Sequence, residues 1–134
     1  MIVHHLRNRR ASFYLKAITP VVVTAGYTPH LFIADVVFHD DLEYRHSITG
    51  WYVRSPLEVG DEWTLNRVDL LNDEGLWTRY SDAGPSNPEG NRGLDLVLSR
   101  VGFIGLMYLR GRDHKGVNAR GNLGIDEFRY NIPA

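Results

Sequence analysis

The sequence predicts an all-β protein, and three observations carry that expectation. Hydrophobicity alternates with a period of two through many short segments rich in β-branched and aromatic residues. These segments are separated by short, turn-forming connections, and no long stretch follows a helical period. About eight or nine short strands at such spacing belong in a two-sheet antiparallel sandwich or a barrel.

Each element follows from its own pattern. Met1–Ala11 is polar and basic, fits neither sheet, and reads as an N-terminal arm before a single domain over residues 12–134. Ser12–Ile18 and Val21–Ala25 are the first strands. Leu31–Phe38 is apolar on both faces, which places it in the middle of a sheet. Tyr44–Val53 follows. Glu62–Leu71 and Leu76–Tyr80 predict a hairpin, because Asn72 and Asp73 can start a turn and Gly75 can take positive φ. Leu94–Val101 is assigned as a strand, although Leu94, Val97, Leu98 and Val101 also satisfy the i, i+3, i+4, i+7 spacing of a helix. Phe103–Leu109 and Leu123–Tyr130 close the chain. Two connections are long, Ser81–Gly93 and Gly111–Asn122. Loops of that kind in a compact domain carry function or motion.

Composition narrows the function classes. The 134 residues can bury a core without disulfides, and 43% apolar with 23% charged residues is ordinary for a soluble globular chain. The longest apolar runs, Val21–Ala25 and Leu31–Ala34, are far short of the roughly 20 residues of a membrane helix, so no membrane partner is expected. The start, Met1-Ile-Val-His-His-Leu-Arg, lacks a secretory pattern, so the expectation is a cytoplasmic chain or one supplied in mature form. No cysteine is present, which removes disulfide scaffolds, thiolate zinc sites and cysteine nucleophiles. Net charge is −1, so no nucleic-acid partner is expected. Charge is nevertheless segregated: residues 1–20 hold four cations and no acid, 21–80 hold ten acids against four cations, and 81–134 return to +1. The cations Arg7, Arg9, Arg10, Arg110, Arg112, His114, Lys115 and Arg120 are candidate subunit contacts.

Catalytic patterns are sparse. His39, Asp40, Asp41, Tyr44 and His46 crowd one segment, yet only alternate residues of a strand share a face. The spacing matches neither a His-x-His site followed by Glu nor a His-Glu-x-x-His helix. Carboxylate pairs at Asp40/Asp41, Asp61/Glu62, Asp73/Glu74 and Asp126/Glu127 are adjacent in sequence, and neighbours on a strand point apart. Glycoside hydrolysis needs two carboxyls flanking one bond, about 5–9.5 Å apart. No nucleophile elbow, dinucleotide fingerprint or phosphate loop occurs. The expectation is a non-enzyme, with a small jelly-roll enzyme using Asp40, Asp41 or His46 as the least favoured alternative. Aromatics offer another chemistry: Trp51, Tyr52, Trp63, Trp77 and Tyr80 are candidates to stack on a sugar or other flat ligand. Trp51 and Tyr52 alternate, so at most one of them is expected in the core.

From Tyr44 onward the order of features resembles the carbohydrate-binding modules of the galactose-binding-like jelly-roll type. The likeness rests on Tyr44-Arg-His-Ser-Ile-Thr-Gly-Trp-Tyr-Val-Arg, on Leu94–Leu98, on Gly111–Gly121 and on the closing Gly124-Ile-Asp-Glu-Phe-Arg-Tyr130. It implies a two-sheet antiparallel jelly-roll sandwich and, by Asp126, a structural calcium ion that would need further oxygen ligands near the first strand. The first twenty residues hold no Asp or Glu to supply them. No other cofactor is expected. The basic start, the segregated charge and the two long loops point instead to assembly. The expected function is a non-catalytic structural component of a virion, as in a phage, that docks to other protein subunits and forms a homo-oligomer. The alternative is a lectin-like module that stacks glycans on exposed aromatics.

Overall fold

The computed structural model describes residues 4–19, 21–22, 25–38, 46–81, 91–110, 121 and 123–131. They form seven strands, a 3₁₀ turn and one short helix. The strands are β1 (Arg9–Ala17), β2 (Thr28–Phe38), β3 (His46–Val53), β4 (Thr64–Leu70), β5 (Trp77–Ser81), β6 (Phe103–Leu109) and β7 (Leu123–Asn131). A three-stranded sheet runs β4-β1-β7 and a four-stranded sheet runs β5-β3-β2-β6, with every pair antiparallel. The chain is the all-β two-sheet sandwich that the alternation predicts.

Alternation decides what faces inward. On β1, Ala11, Phe13 and Leu15 are buried, and on β4 Asn66, Val68 and Leu70, while the residues between them face outward. The opposing sheet supplies Leu31 and Ile33 from β2, Trp51 and Val53 from β3, and Trp77 from β5 to the same core. Central strand β2 is apolar on both faces because both are covered: Phe32 and Ala34 join Tyr52 and Leu109 in a second buried cluster behind the sheet. Gly50 is required there, since a Cβ would lie 2.2 Å from the Phe32 ring.

Four expectations are corrected. Glu62–Tyr80 is not a hairpin: β4 and β5 lie in different sheets. Asp73 caps the 3₁₀ turn Glu74–Leu76 by accepting from the Gly75 amide, and Trp77 turns inward with its indole donating to the Leu71 carbonyl at 3.0 Å. A turn-forming sequence therefore carries the chain across the sandwich instead of back along one sheet. Leu94–Val101 is helical over Leu94–Ser99 (α1), with Leu94, Val97 and Leu98 buried against the core. Of Val21–Ala25, Val22 is a single bridge residue and Ala25 lies in a turn, with Val23 and Thr24 outside the described residues.

The arm is the fourth correction. From His4 onward the segment is built into the fold: His4 bridges Val101, the Leu6 amide donates to the Leu98 carbonyl, Leu6 is fully buried, and Arg9–Ala11 begin β1. The density of basic residues masks this in sequence, because Leu6 is a lone apolar residue beside them.

Candidate functional site

Burial sorts the aromatic candidates. Trp51 (4% exposed) and Tyr52 (1%) are both buried, although they face opposite sides of β3, because each side of the four-stranded sheet is covered. That corrects the expectation that only one of them is interior. The Trp51 indole donates to the Arg92 carbonyl at 3.1 Å, and Tyr52 meets His30 edge to face. Trp77 (1%) is core, and Tyr80 is half-buried against Phe32. Trp63 alone of the five remains open, at 45%.

Trp63 stands on the outer face of the three-stranded sheet, whose register can be read row by row. Lys16 pairs with Gly124 and carries its ammonium 6.0 Å from the centre of the Trp63 ring. Tyr14 lies between Leu65 and Asp126, and Ser12 between Arg67 and Arg129. Arg10 lies between Asp69 and Asn131. The indole reaches over Gly124, where a Cβ would come within 2.7 Å of the ring. One end of this face is thus aromatic and the other cationic. Asp126 sits on it, but its Oδ1 accepts from the Glu127 amide. Among the described residues no three His, Asp or Glu side chains gather to hold a metal.

The cationic candidates disperse. Arg7 pairs with Asp95 at 2.8 Å, and Arg10 donates to Asp69 at 2.7 Å, a hydrogen bond that holds the Asp69 carboxyl below its ordinary range. Arg9 is half-buried at the start of β1, and Arg110 stacks on Tyr27 at 5.2 Å. Arg112, His114, Lys115 and Arg120 lie outside the described residues, as do His39, Asp40, Asp41 and most of Ser81–Gly93. His46 starts β3 opposite Phe38.

The flank between β6 and β7 forms a second surface. Both are edge strands, and an apolar slot of about 220 Å³ opens between them, lined by Phe13, Leu31, Ile104, Leu106, Ile125 and Phe128. An adjoining hollow of about 210 Å³ shares Ile104 and Phe128 and extends to His4, Phe103 and Tyr130. Phe103 is 55% exposed and Ile125 52%. A bulge shapes this flank. The β1–β7 register shifts between Ser12 and Tyr14, and Glu127 sits at φ +52°, which returns Phe128 to the inner side, stacked on Phe13 at 5.1 Å.

The four edges differ in how they are protected. Exposed edges invite further strands, and proteins blunt them with charge, brevity or bulges. Strand β4 alternates Arg67 and Asp69 outward, β5 has five residues and carries Arg79, and β7 combines its bulge with Asp126, Glu127 and Arg129. Strand β6, Phe-Ile-Gly-Leu-Met-Tyr-Leu, has seven residues with no charge, no proline and no register shift. Among the described residues its second side has no strand partner.

One polar assembly was not anticipated. Buried Asp35, on the inner side of β2, accepts at 2.7 Å from Arg92 Nε and at 2.7 Å from Arg100 Nη2, while Arg92 Nη2 donates to the Asp35 carbonyl. Two guanidiniums on one carboxylate fasten both ends of α1 to the sheet. The signal available in sequence was a lone acid inside the apolar run Leu31–Phe38. His30 is likewise buried, its Nδ1 2.7 Å from the Val53 carbonyl and Nε2 2.8 Å from the Thr28 hydroxyl, so both ring nitrogens are used within the fold. No family model matches this chain, and neither does any curated protein or solved structure.

Proposed function

We propose that the chain is a non-catalytic assembly subunit that docks to other protein subunits, copies of itself among them, through the β6–β7 flank. A structural role in a virion is part of this reading and rests on the features of the sequence. The observation that carries it is β6: seven uncharged residues on an edge beside an apolar slot, where the other three sheet edges among the described residues carry charge. Pairing such an edge satisfies its outward amides and carbonyls and removes Phe103 and Ile125 from water. Native mass spectrometry of the full chain over a wide concentration range tests it. Association is expected, and Phe103→Lys should shift the chain to monomer with little change in melting temperature when both are compared at a concentration where the parent chain is also monomeric, because Phe103 is exposed in the free subunit. A chain that stays monomeric at every concentration contradicts the proposal.

A second reading has its own observation. The exposed Trp63 ring, framed by Lys16, Tyr14 and Asp126, is a flat aromatic surface with polar groups at its rim, which suits stacking on a sugar. Trp63→Ala should abolish retention on a glycan array while leaving the fold intact. Retention unchanged by that substitution removes Trp63 from any glycan site.

A further inference from the structure

We infer that the partner on β6 is a second copy of the chain, paired β6 to β6 about a two-fold axis through Leu106. This inference rests on the assembly reading above and specifies its geometry. Face matching comes first. Ile104, Leu106 and Tyr108 pair with the inward-facing side of β2, whereas Phe103, Gly105, Met107 and Leu109 pair with its outer side. Residues opposite each other across an antiparallel pair must share a face, so a strand pairing with its own copy needs opposed residues of like parity. A slip of one residue would turn the inward row of one subunit toward the outer side of the other.

The ends of the strand then select among the allowed registers. Centred on Leu106, the pairing sets Ile104 against Tyr108, Gly105 against Met107 and Phe103 against Leu109 of the second copy, and every opposed pair is uncharged. Arg110 then falls opposite Gly102, where no side chain competes with it. Centred on Gly105, the pairing would set Leu109 of the second copy opposite Val101, whose amide and carbonyl are already bonded to His4. Centred on Met107, it would set Arg110 against Ile104 and leave Phe103 beyond the described strand.

The two-fold joins two four-stranded sheets into one continuous sheet and places both three-stranded sheets on the same side. The two apolar slots then face each other across the axis, which covers Ile125 and Phe128 as well as the β6 backbone. Such a contact is isologous and closes at two copies, so it produces a dimeric building block and not an open filament. The remaining edges of the joined sheet are the two short β5 strands with their Arg79 side chains, which do not invite further growth.

Single-cysteine crosslinking tests the register cleanly, because the chain has no cysteine of its own. Residues on the axis lie about 4.5–5.5 Å apart between Cα atoms, within the range a disulfide spans. Leu106→Cys, oxidised with diamide, should give a covalent dimer in high yield. Ile104→Cys and Tyr108→Cys should each stay monomeric on a denaturing gel, yet crosslink when the two proteins are mixed. That mixed experiment also decides the matter if Leu106→Cys folds poorly. Association of the unmodified chain without crosslinks at these positions overturns the two-fold register but leaves the assembly reading standing. Absence of any association of the unmodified chain overturns both.

Discussion

The two sheets of the sandwich follow the same alternation in different surroundings. The four-stranded sheet buries both faces of its central strands, with Leu31, Ile33 and Trp51 on one side and Phe32, Ala34 and Tyr52 on the other. The three-stranded sheet buries one face and exposes Trp63, Leu65 and the Arg10–Asp69 ion pair on the other. Residues of one chemical type therefore have different roles in the two sheets. Trp77 is a core residue of the first, and Trp63 is a surface residue of the second.

Substitutions should separate the sheets by the size of their effects. Trp77→Ala should lower stability by about 3–5 kcal/mol in urea unfolding, while Trp63→Ala should change it by less than about 1 kcal/mol. Equal losses at the two tryptophans would remove the distinction. Asp35→Ala strips the carboxylate from two guanidiniums, one of them buried, and should cost about 3–5 kcal/mol. Circular dichroism and proteolysis near residues 91–100 should then report a loosened α1. A stability within experimental error of the parent chain would show that the triad does not hold the helix.

Glycine offers a matched pair. Gly50→Ala in the four-stranded sheet drives a methyl into the Phe32 ring within a packed cluster and should destabilise by about 1–3 kcal/mol. Gly124→Ala in the three-stranded sheet meets Trp63 and Ile18, exposed side chains that can swing outward, so its effect should stay within about 0.5 kcal/mol. The smallest effect concerns pH. The Arg10 hydrogen bond lowers the Asp69 carboxyl in the folded chain, so its contribution is present above the unfolded carboxylate value and is lost as pH falls through the lower folded value. Asp69→Asn should slightly flatten the acid limb of the stability profile. The pair is exposed, and salt should screen most of what remains.

Legibility in the sequence follows the same division between sheets. Strands β1 and β4 alternate cleanly because one face meets water, and their inward residues follow directly from period two. The placement of Tyr52 did not follow, since alternation reports which residues share a face but not whether the second face is covered. The Leu71–Leu76 connection carries turn signals that suit a hairpin and a crossing between sheets equally, and the burial of Trp77 selects the crossing. In β7 the pattern Ile125, Phe128, Tyr130 breaks period two, and the bulge at Glu127 accounts for the break. Edge protection needs the strand order, which no local pattern contains. The uncharged run Phe103–Leu109 is plain in sequence, yet only its place at the end of the sheet makes it an edge without a second strand partner among the described residues.

Amide hydrogen exchange on β6, followed as the protein is concentrated, tests that edge most directly. Pairing of the edge predicts that the outward amides of Phe103–Leu109 gain protection with rising concentration, while those already bonded to β2 change little. Outward β6 amides that exchange at one fast rate in dilute and concentrated protein alike would contradict docking through this strand.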